Sequence, residues 1–278
     1  MKLLSCGAGM QSSALALMSC ENKMKGIIYP EVPVYDAVIF CDLGLEPYWV
    51  TRQVEFIKRA CERAEIPFYT IESNLYQDYM EKFGRGHASS IPFWSVDESG
   101  KKAKMRRHCT IDYKITMIEK FLRYQLLGYR KYQRLRAEDI QAHEMHIGFS
   151  FEERKRISDQ EQSKLYVKRY PLVEMKWERK DSYRYILETW GLDTKASACC
   201  FCPFHRNYFF KYLREHSAQD YRKTVEFDRM IGKMQPHTAI QSKIYISRSR
   251  KRIEDLTDEE CNDAQTFPYK GKQVWNGF

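Results

Sequence analysis

No stretch of this 278-residue chain is apolar enough for long enough to cross a bilayer. No signal peptide opens it either, because Gly7 and Gln11 interrupt the one apolar N-terminal run. These two absences lead us to expect a cytoplasmic protein with no membrane partner. Internal repeats and low-complexity segments are missing, which excludes solenoids and linker-like chains. The nine cysteines are odd in number, and three crowd into Cys199-Cys200-Phe201-Cys202. That pattern does not suit a secreted disulfide framework and suits a metal site in a reducing compartment. The first Gly-rich turn lacks the Gly-Lys-Ser/Thr of a Walker loop and is not a clean Gly-x-Gly-x-x-Gly.

What remains is enough for a sizeable core: 43% hydrophobic and 14% aromatic residues. The formal charge of +9 points to a polyanionic partner. Leu3-Leu4-Ser5-Cys6 reads as a strand, Gly7-Ala8-Gly9 as a turn and Ala14-Leu15-Ala16-Leu17 as a helix. A strand, a turn of small residues and a helix start together aim backbone N–H groups at an anion. Gly7 and Gly9 are expected to take positive φ, and Ser12 and Ser13 to cap the helix or touch a phosphate.

Further strands are expected at 37–42, 67–71 and 145–149, with a helix over 48–64 whose stripe is Val50, Val54, Ile57 and Cys61. This alternation predicts an α/β fold with a parallel sheet and helices on both faces. Ligands of such sheets sit beyond the carboxyl ends of the strands, where the Gly7–Ser13 turn and Asp42 both fall. Residues 74–106 read as a mobile, basic excursion. A helix is expected from Cys109 to about Leu127, an extended segment at 165–172, and helices at 181–190, 206–215 and 218–232. His143 and His146 read as surface residues, and Cys6, Cys20, Cys41 and Cys61 as core. We place the domain boundary at 175, between a nucleotide-binding domain (1–175) and a helical, cysteine-containing region with a basic tail (176–278).

Cys199-x-x-Cys202 sets two thiols on one tight loop, the spacing of both zinc and iron–sulfur sites. Cys109 is the best third ligand, since Arg106, Arg107 and His108 precede it and would lower its pKa. His108, His205 or Cys200 could complete a zinc site. Glu152, Glu153, Arg154 and Arg156 follow a strand end, where they either face solvent or clamp phosphates.

Taken together, these motifs resemble one family, the PP-loop adenine-nucleotide α-hydrolase-like proteins, in the phage and mobile-element branch similar to phosphoadenosine-phosphosulfate reductases. Gly7-Ala8-Gly9-Met10-Gln11-Ser12 resembles that family's Ser-Gly-Gly-x-Asp-Ser loop, and Asp42-Leu43-Gly44-Leu45-Glu46 its Asp-Thr-Gly-x-Glu segment. Arg107-His108-Cys109-Thr110-Ile111-Asp112-Tyr113-Lys114-Ile115 is similar to its Arg-x-Cys-Thr-x-x-Tyr-Lys-Ile helix start. Gly148-Phe149-Ser150-Phe151-Glu152-Glu153 through Arg156, Tyr170-Pro171-Leu172 and Ser197 to Phe204 complete the series in order.

The resemblance implies a Rossmann-like fold that binds ATP or another adenine nucleotide with Mg²⁺. Ser5, Gly7, Ala8, Gly9, Gln11, Ser12, Ser13, Asp42 and Gly148 would hold the nucleotide, with Ser12, Glu153 and Arg156 in catalytic roles. Cys109, Cys199 and Cys202 would carry an iron–sulfur cluster, or alternatively Zn²⁺. The implied activity is an ATP pyrophosphatase that activates a nucleic-acid group, in DNA or tRNA, for sulfur transfer. A sulfur-donor protein and a homo-oligomer or larger assembly are the implied partners. The alternatives are a sulfonucleotide reductase and a non-enzymatic, zinc-stabilised nucleotide- or nucleic-acid-binding protein. Two departures bear on these: Gln11 stands where the family has an acid, and the reductases' Glu-Cys-Gly-Leu-His is reduced here to Glu260-Cys261.

Overall fold

The computed structural model describes residues 1–85, 90–157 and 163–275. The Gly86-His87 part of the expected basic excursion lies outside them. The chain forms two compact units, one of residues 1–41, 49–71 and 116–197 and the other of 42–48, 72–115 and 198–278. They interleave along the sequence, where the sequence reading drew one boundary at 175.

The first unit is built on a sheet of order β3-β2-β1-β6-β7. Its strands are β1 (Lys2–Cys6), β2 (Ala37–Asp42), β3 (Phe68–Glu72), β6 (His143–Ile147) and β7 (Tyr166–Arg169). β1 runs parallel to both β2 and β6, and β6 parallel to β7. Strand alternation sends Leu3, Ile39 and Met145 to one face, where Ile118 and Leu122 cover them. Leu4 and Val38 point the other way and are equally buried, as a sheet covered on both faces requires. The covering helices are α1 (Met10–Lys25), α2 (Tyr48–Arg63) and a helical run whose α-helical stretch is α4 (Thr116–Phe121). They are joined by the short α5 (Pro171–Glu174) and by α6 (Arg179–Trp190), which packs on α1 and ends at the left-handed Gly191. The fold is the expected α/β, Rossmann-like one.

Because the strand order runs outward from β1 in both directions, the topology switches between β1 and β6. In open parallel sheets that is where a crevice for ligands opens. The Gly7–Ser13 turn and the segment after Ile147 both leave the sheet there.

The second unit holds α3 (Leu75–Lys82) and a small antiparallel sheet of β5 (Lys102–Lys104), β4 (Trp94–Val96) and β8 (Lys243–Tyr245). The expected basic excursion thus contains α3, β4 and β5, the two strands being too short for periodicity to reveal. Helices α7 (Asn207–His216) and α8 (Ala218–Met234) follow the cysteine loop. A hairpin of β9 (Thr266–Tyr269) and β10 (Lys272–Trp275) turns at Lys270-Gly271, both with positive φ. Rings fill this core: Tyr79 stacks on Phe83 at 5.4 Å and Phe201 on Phe227 at 4.6 Å. Phe201 matters most, because burying it between Cys200 and Cys202 pins the cysteine loop.

His143 and His146 are buried, against expectation. His143 Nδ1 meets the N-terminal amine at 3.1 Å, and His146 meets Glu144 at 3.1 Å. Burial lowers the pKa of both.

Candidate functional site

In the first unit, the turn after β1 has a geometry that the sequence only half discloses. Neither Gly7 nor Gly9 adopts positive φ; the left-handed residue is Ala8, at φ 54°. Gly9 is extended and caps α1, and Ser13 N–H donates to its carbonyl at 3.0 Å. The glycines are needed for proximity instead. A Cβ on Gly9 would lie 2.9 Å from Ser197 Oγ and 3.0 Å from Ser197 N, and one on Gly7 3.3 Å from the same hydroxyl. Gln53 holds that neighbouring segment. Its buried amide donates to the carbonyls of Ala8 and Lys195 and accepts the Lys195 N–H at 2.7 Å. Trp49 Nε1 donates to the Ala196 carbonyl at 3.0 Å. Sequence reasoning missed Gln53, though a polar amide within the apolar stripe of α2 was its visible signal.

Ser12 does not cap the helix; its Oγ accepts the Gly7 N–H at 3.1 Å and so closes the turn on itself. Ser13 is fully buried, and its Oγ has no hydrogen-bond partner among the described residues. Cys6 is core, its thiol pushed up to about 11 by burial. Ser5 is half-buried one residue earlier in β1.

Gly148 follows β6 and lies against this turn, where a Cβ would meet Ser12 N at 2.7 Å. The next residues form a 3₁₀ turn, Phe151–Arg156, with a capping box between Ser150 and Glu153. Glu153 is the hub. Its carboxylate accepts from Gln11 Nε2 at 2.9 Å and Ser150 Oγ at 3.1 Å, pairs with Arg156, and lies 3.7 Å from Arg179 of α6. The charge run after β6 is thus partly turned inward. With the turn and the start of α1, it brings Gln11, Ser150, Glu153, Arg156 and Arg179 together beside the switch point.

The second unit gathers the thiols. Cys199 and Cys202 hydrogen-bond to each other, Cys199 as thiol and Cys202 as the more acidic partner. That bond is the main cause of both shifts, up for Cys199 and down for Cys202. Cys109 lies close enough to Cys202 for their charges to interact. Its pKa rises, correcting the expectation that its basic neighbours would lower it. Burial and Cys202 outweigh Arg107 and Lys114. Cys200 turns away, its N–H on the Leu45 carbonyl at 2.9 Å and its thiol bonded to Thr224 of α8.

Two further groups join the thiols that the sequence reading did not place there. Burial pushes the Glu46 carboxyl up to about 7 against the pull of Lys114, and both influence Cys199. Asp42, which ends β2, accepts the Gly44 N–H at 2.8 Å.

His108 is exposed, while buried His205 turns Nε2 to the Cys199 carbonyl at 3.0 Å and stacks on Phe209 at 3.4 Å. Among the described residues, no three His, Cys, Asp or Glu side chains are placed around a single ion. Cys261 is buried and its thiol is raised by that burial.

No family model matches the chain, and no curated protein does. Among solved structures it is similar to the U34-tRNA thiolase NcsA from Methanococcus maripaludis with its 4Fe-4S cluster. The TM-score is 0.37 and the identity 13%, over 83% of this chain and 71% of that one. A likeness that distant carries no chemistry from one chain to the other.

The expected basic tail is mostly spent on structure. Arg252 donates to Asp228 and to the Ile244 carbonyl at 2.8 Å, Arg250 to the Ser95 carbonyl at 3.2 Å, and Lys251 pairs with Glu260 at 2.9 Å. Arg106 and Arg107 are exposed, with Arg107 lying over the Phe204 ring at 5.3 Å.

Proposed function

We propose that this protein is an ATP pyrophosphatase of the PP-loop type that adenylates a nucleic-acid oxygen and exchanges it for sulfur. One observation carries the reading: Cys109, 90 residues upstream of Cys199, lies within electrostatic reach of Cys202, and Arg107 and Lys114 act on both thiols. Thiols from distant segments under shared cations suit a soft-metal or sulfur-handling site better than inert packing.

In the adenylation step, the nucleic-acid oxygen attacks the α-phosphorus of ATP and pyrophosphate leaves. The Gly7–Ser13 turn and the start of α1 would hold the phosphates, with Ser12 closing the turn. Arg156 and Arg179 would balance charge on the departing pyrophosphate, oriented by Glu153. Mg²⁺ would travel with the nucleotide's phosphates. In the second step, sulfur displaces the adenylated oxygen and AMP leaves. An all-thiol donor set fits an iron–sulfur cluster on Cys109, Cys199 and Cys202, which would supply or hold the sulfur when bound. Lys114 and Arg107 would offset the thiolates' charge.

Incubating the protein with α-labelled ATP and either bulk tRNA or plasmid DNA should release AMP and pyrophosphate with one of them. Binding of ATP without either product, with every nucleic acid tried, would instead favour a nucleotide-binding protein, a role that the neutral Gln11 would suit.

A further inference from the structure

The first unit carries a second cationic feature, away from the switch point. Residues 123–137 contain Arg123, Arg130, Lys131, Arg134 and Arg136 with Tyr124, Tyr129 and Tyr132, and no carboxylate. The loop is pinned rather than loose. Tyr129 is buried and bonds through its hydroxyl to Asp139, while Arg136 N–H donates to the same hydroxyl at 2.8 Å. Gln133 ties back to Arg130 twice, accepting its N–H at 2.9 Å and donating to its carbonyl at 3.1 Å. Arg123 donates to the Gln133 carbonyl.

The outcome is two tyrosines with opposite fates. Tyr129 is 5% exposed and Tyr132, three residues on, 86%. Tyr132 sits at φ 66°, a left-handed conformation that side chains other than glycine rarely adopt, with Lys131 over its ring at 5.0 Å. Beside it opens a cavity of about 450 Å³ lined by Arg123, Arg134 and Lys164, with Gln133 and the half-exposed Ile140. No carboxylate lines it among the described residues. Arg123 Nε is buried there without a hydrogen-bond partner among the described residues.

A presented flat ring, three cations and a cavity the size of a small ligand match an unpaired nucleobase with its flanking phosphates. We infer that the Tyr132 loop and its cavity bind single-stranded nucleic acid, Tyr132 stacking on one base while Arg134 and Lys164 hold the backbone. This surface shares no residue with the Gly7–Ser13 turn, so it stands whether or not that turn binds ATP.

The test titrates fluorescein-labelled 12-mers of oligouridylate and oligothymidylate with the full chain, by anisotropy over a salt series. Tyr132→Ala should weaken binding about tenfold, within the range for losing one stacked base, with an unchanged salt slope. Tyr132→Phe should bind like the parent, since stacking needs no hydroxyl. Arg134→Ala should weaken binding and flatten the slope by about one phosphate contact. ATP affinity should not change in the Tyr132 variants. Parental affinity in Tyr132→Ala, equal loss in Tyr132→Phe, or equal competition by a duplex or by polyglutamate would overturn the inference.

Discussion

Gln11 is where a single side chain decides most. Because its amide donates to Glu153, placing an acid there would set two carboxylates against each other beside the Gly7–Ser13 turn. Gln11→Glu should therefore lower ATP affinity about tenfold, a hydrogen bond to a charged group being worth about 1.5–3 kcal/mol. Calorimetric titration with a non-hydrolysable ATP analogue would detect this, and a gain in affinity would mean that Glu153 is not the hub. Arg252 gives a second residue-scale prediction. Asp228 is almost fully buried, and Arg252 and the Ile253 N–H are its partners, at 2.8 and 2.9 Å. Arg252→Ala should cost about 3–5 kcal/mol, the penalty for stranding a buried charge. Burial already raises the Asp228 pKa above its unfolded value, against the pull of Arg252. For a carboxyl raised in this way, stability is greatest below the unfolded pKa and is lost as pH rises through the folded one. Removing the guanidinium raises the folded pKa further, so chemical denaturation should show a deficit that is small near pH 3.5 and grows toward pH 7.

At the scale of elements, β6 and α1 meet more closely than any side chain allows. Gly148→Ala would drive a Cβ to 2.7 Å from Ser12 N, backbone that cannot swing aside. The expected outcome is about 1–3 kcal/mol of destabilisation from overpacking, with loss of nucleotide binding. Unchanged ATP affinity in a folded Gly148→Ala protein would remove this junction from the site. The long elements were legible because their periodicity repeats: the apolar runs of β1 and β2, the stripe of α2, and the Gly191 stop of α6. The three-residue strands β4, β5 and β8 were not, since their pairing is set by partners as distant as Trp94 and Tyr245. The Gly7–Ser13 turn was legible in its small residues but not in its conformation. Nor was it legible that Ser197, from far along the chain, would lie against Gly9 and leave no room there for a side chain. The basic run at 248–252 misled for a related reason, as composition does not reveal that Asp228 and two strand carbonyls would absorb it.

The candidate residues divide between two units, the Gly7–Ser13 turn with Glu153 in one and Cys109, Cys199 and Cys202 in the other. The sequence motifs name the residues of both groups and include Glu46 and Lys114, but Gln53 and Arg179, which position the first group, come from segments with no motif. The central claim is that Cys109, Cys199 and Cys202 together hold an iron–sulfur cluster, and metal analysis tests it most directly. Iron, acid-labile sulfide and zinc should be quantified in protein purified or reconstituted without oxygen, for the parent chain and its Cys109→Ser, Cys199→Ser, Cys202→Ser and Cys200→Ser variants. The account expects a brown parent with iron and sulfide in equal amounts, loss of both in the first three variants, and retention in Cys200→Ser. A colourless parent holding one zinc, or iron that survives Cys109→Ser, would contradict it.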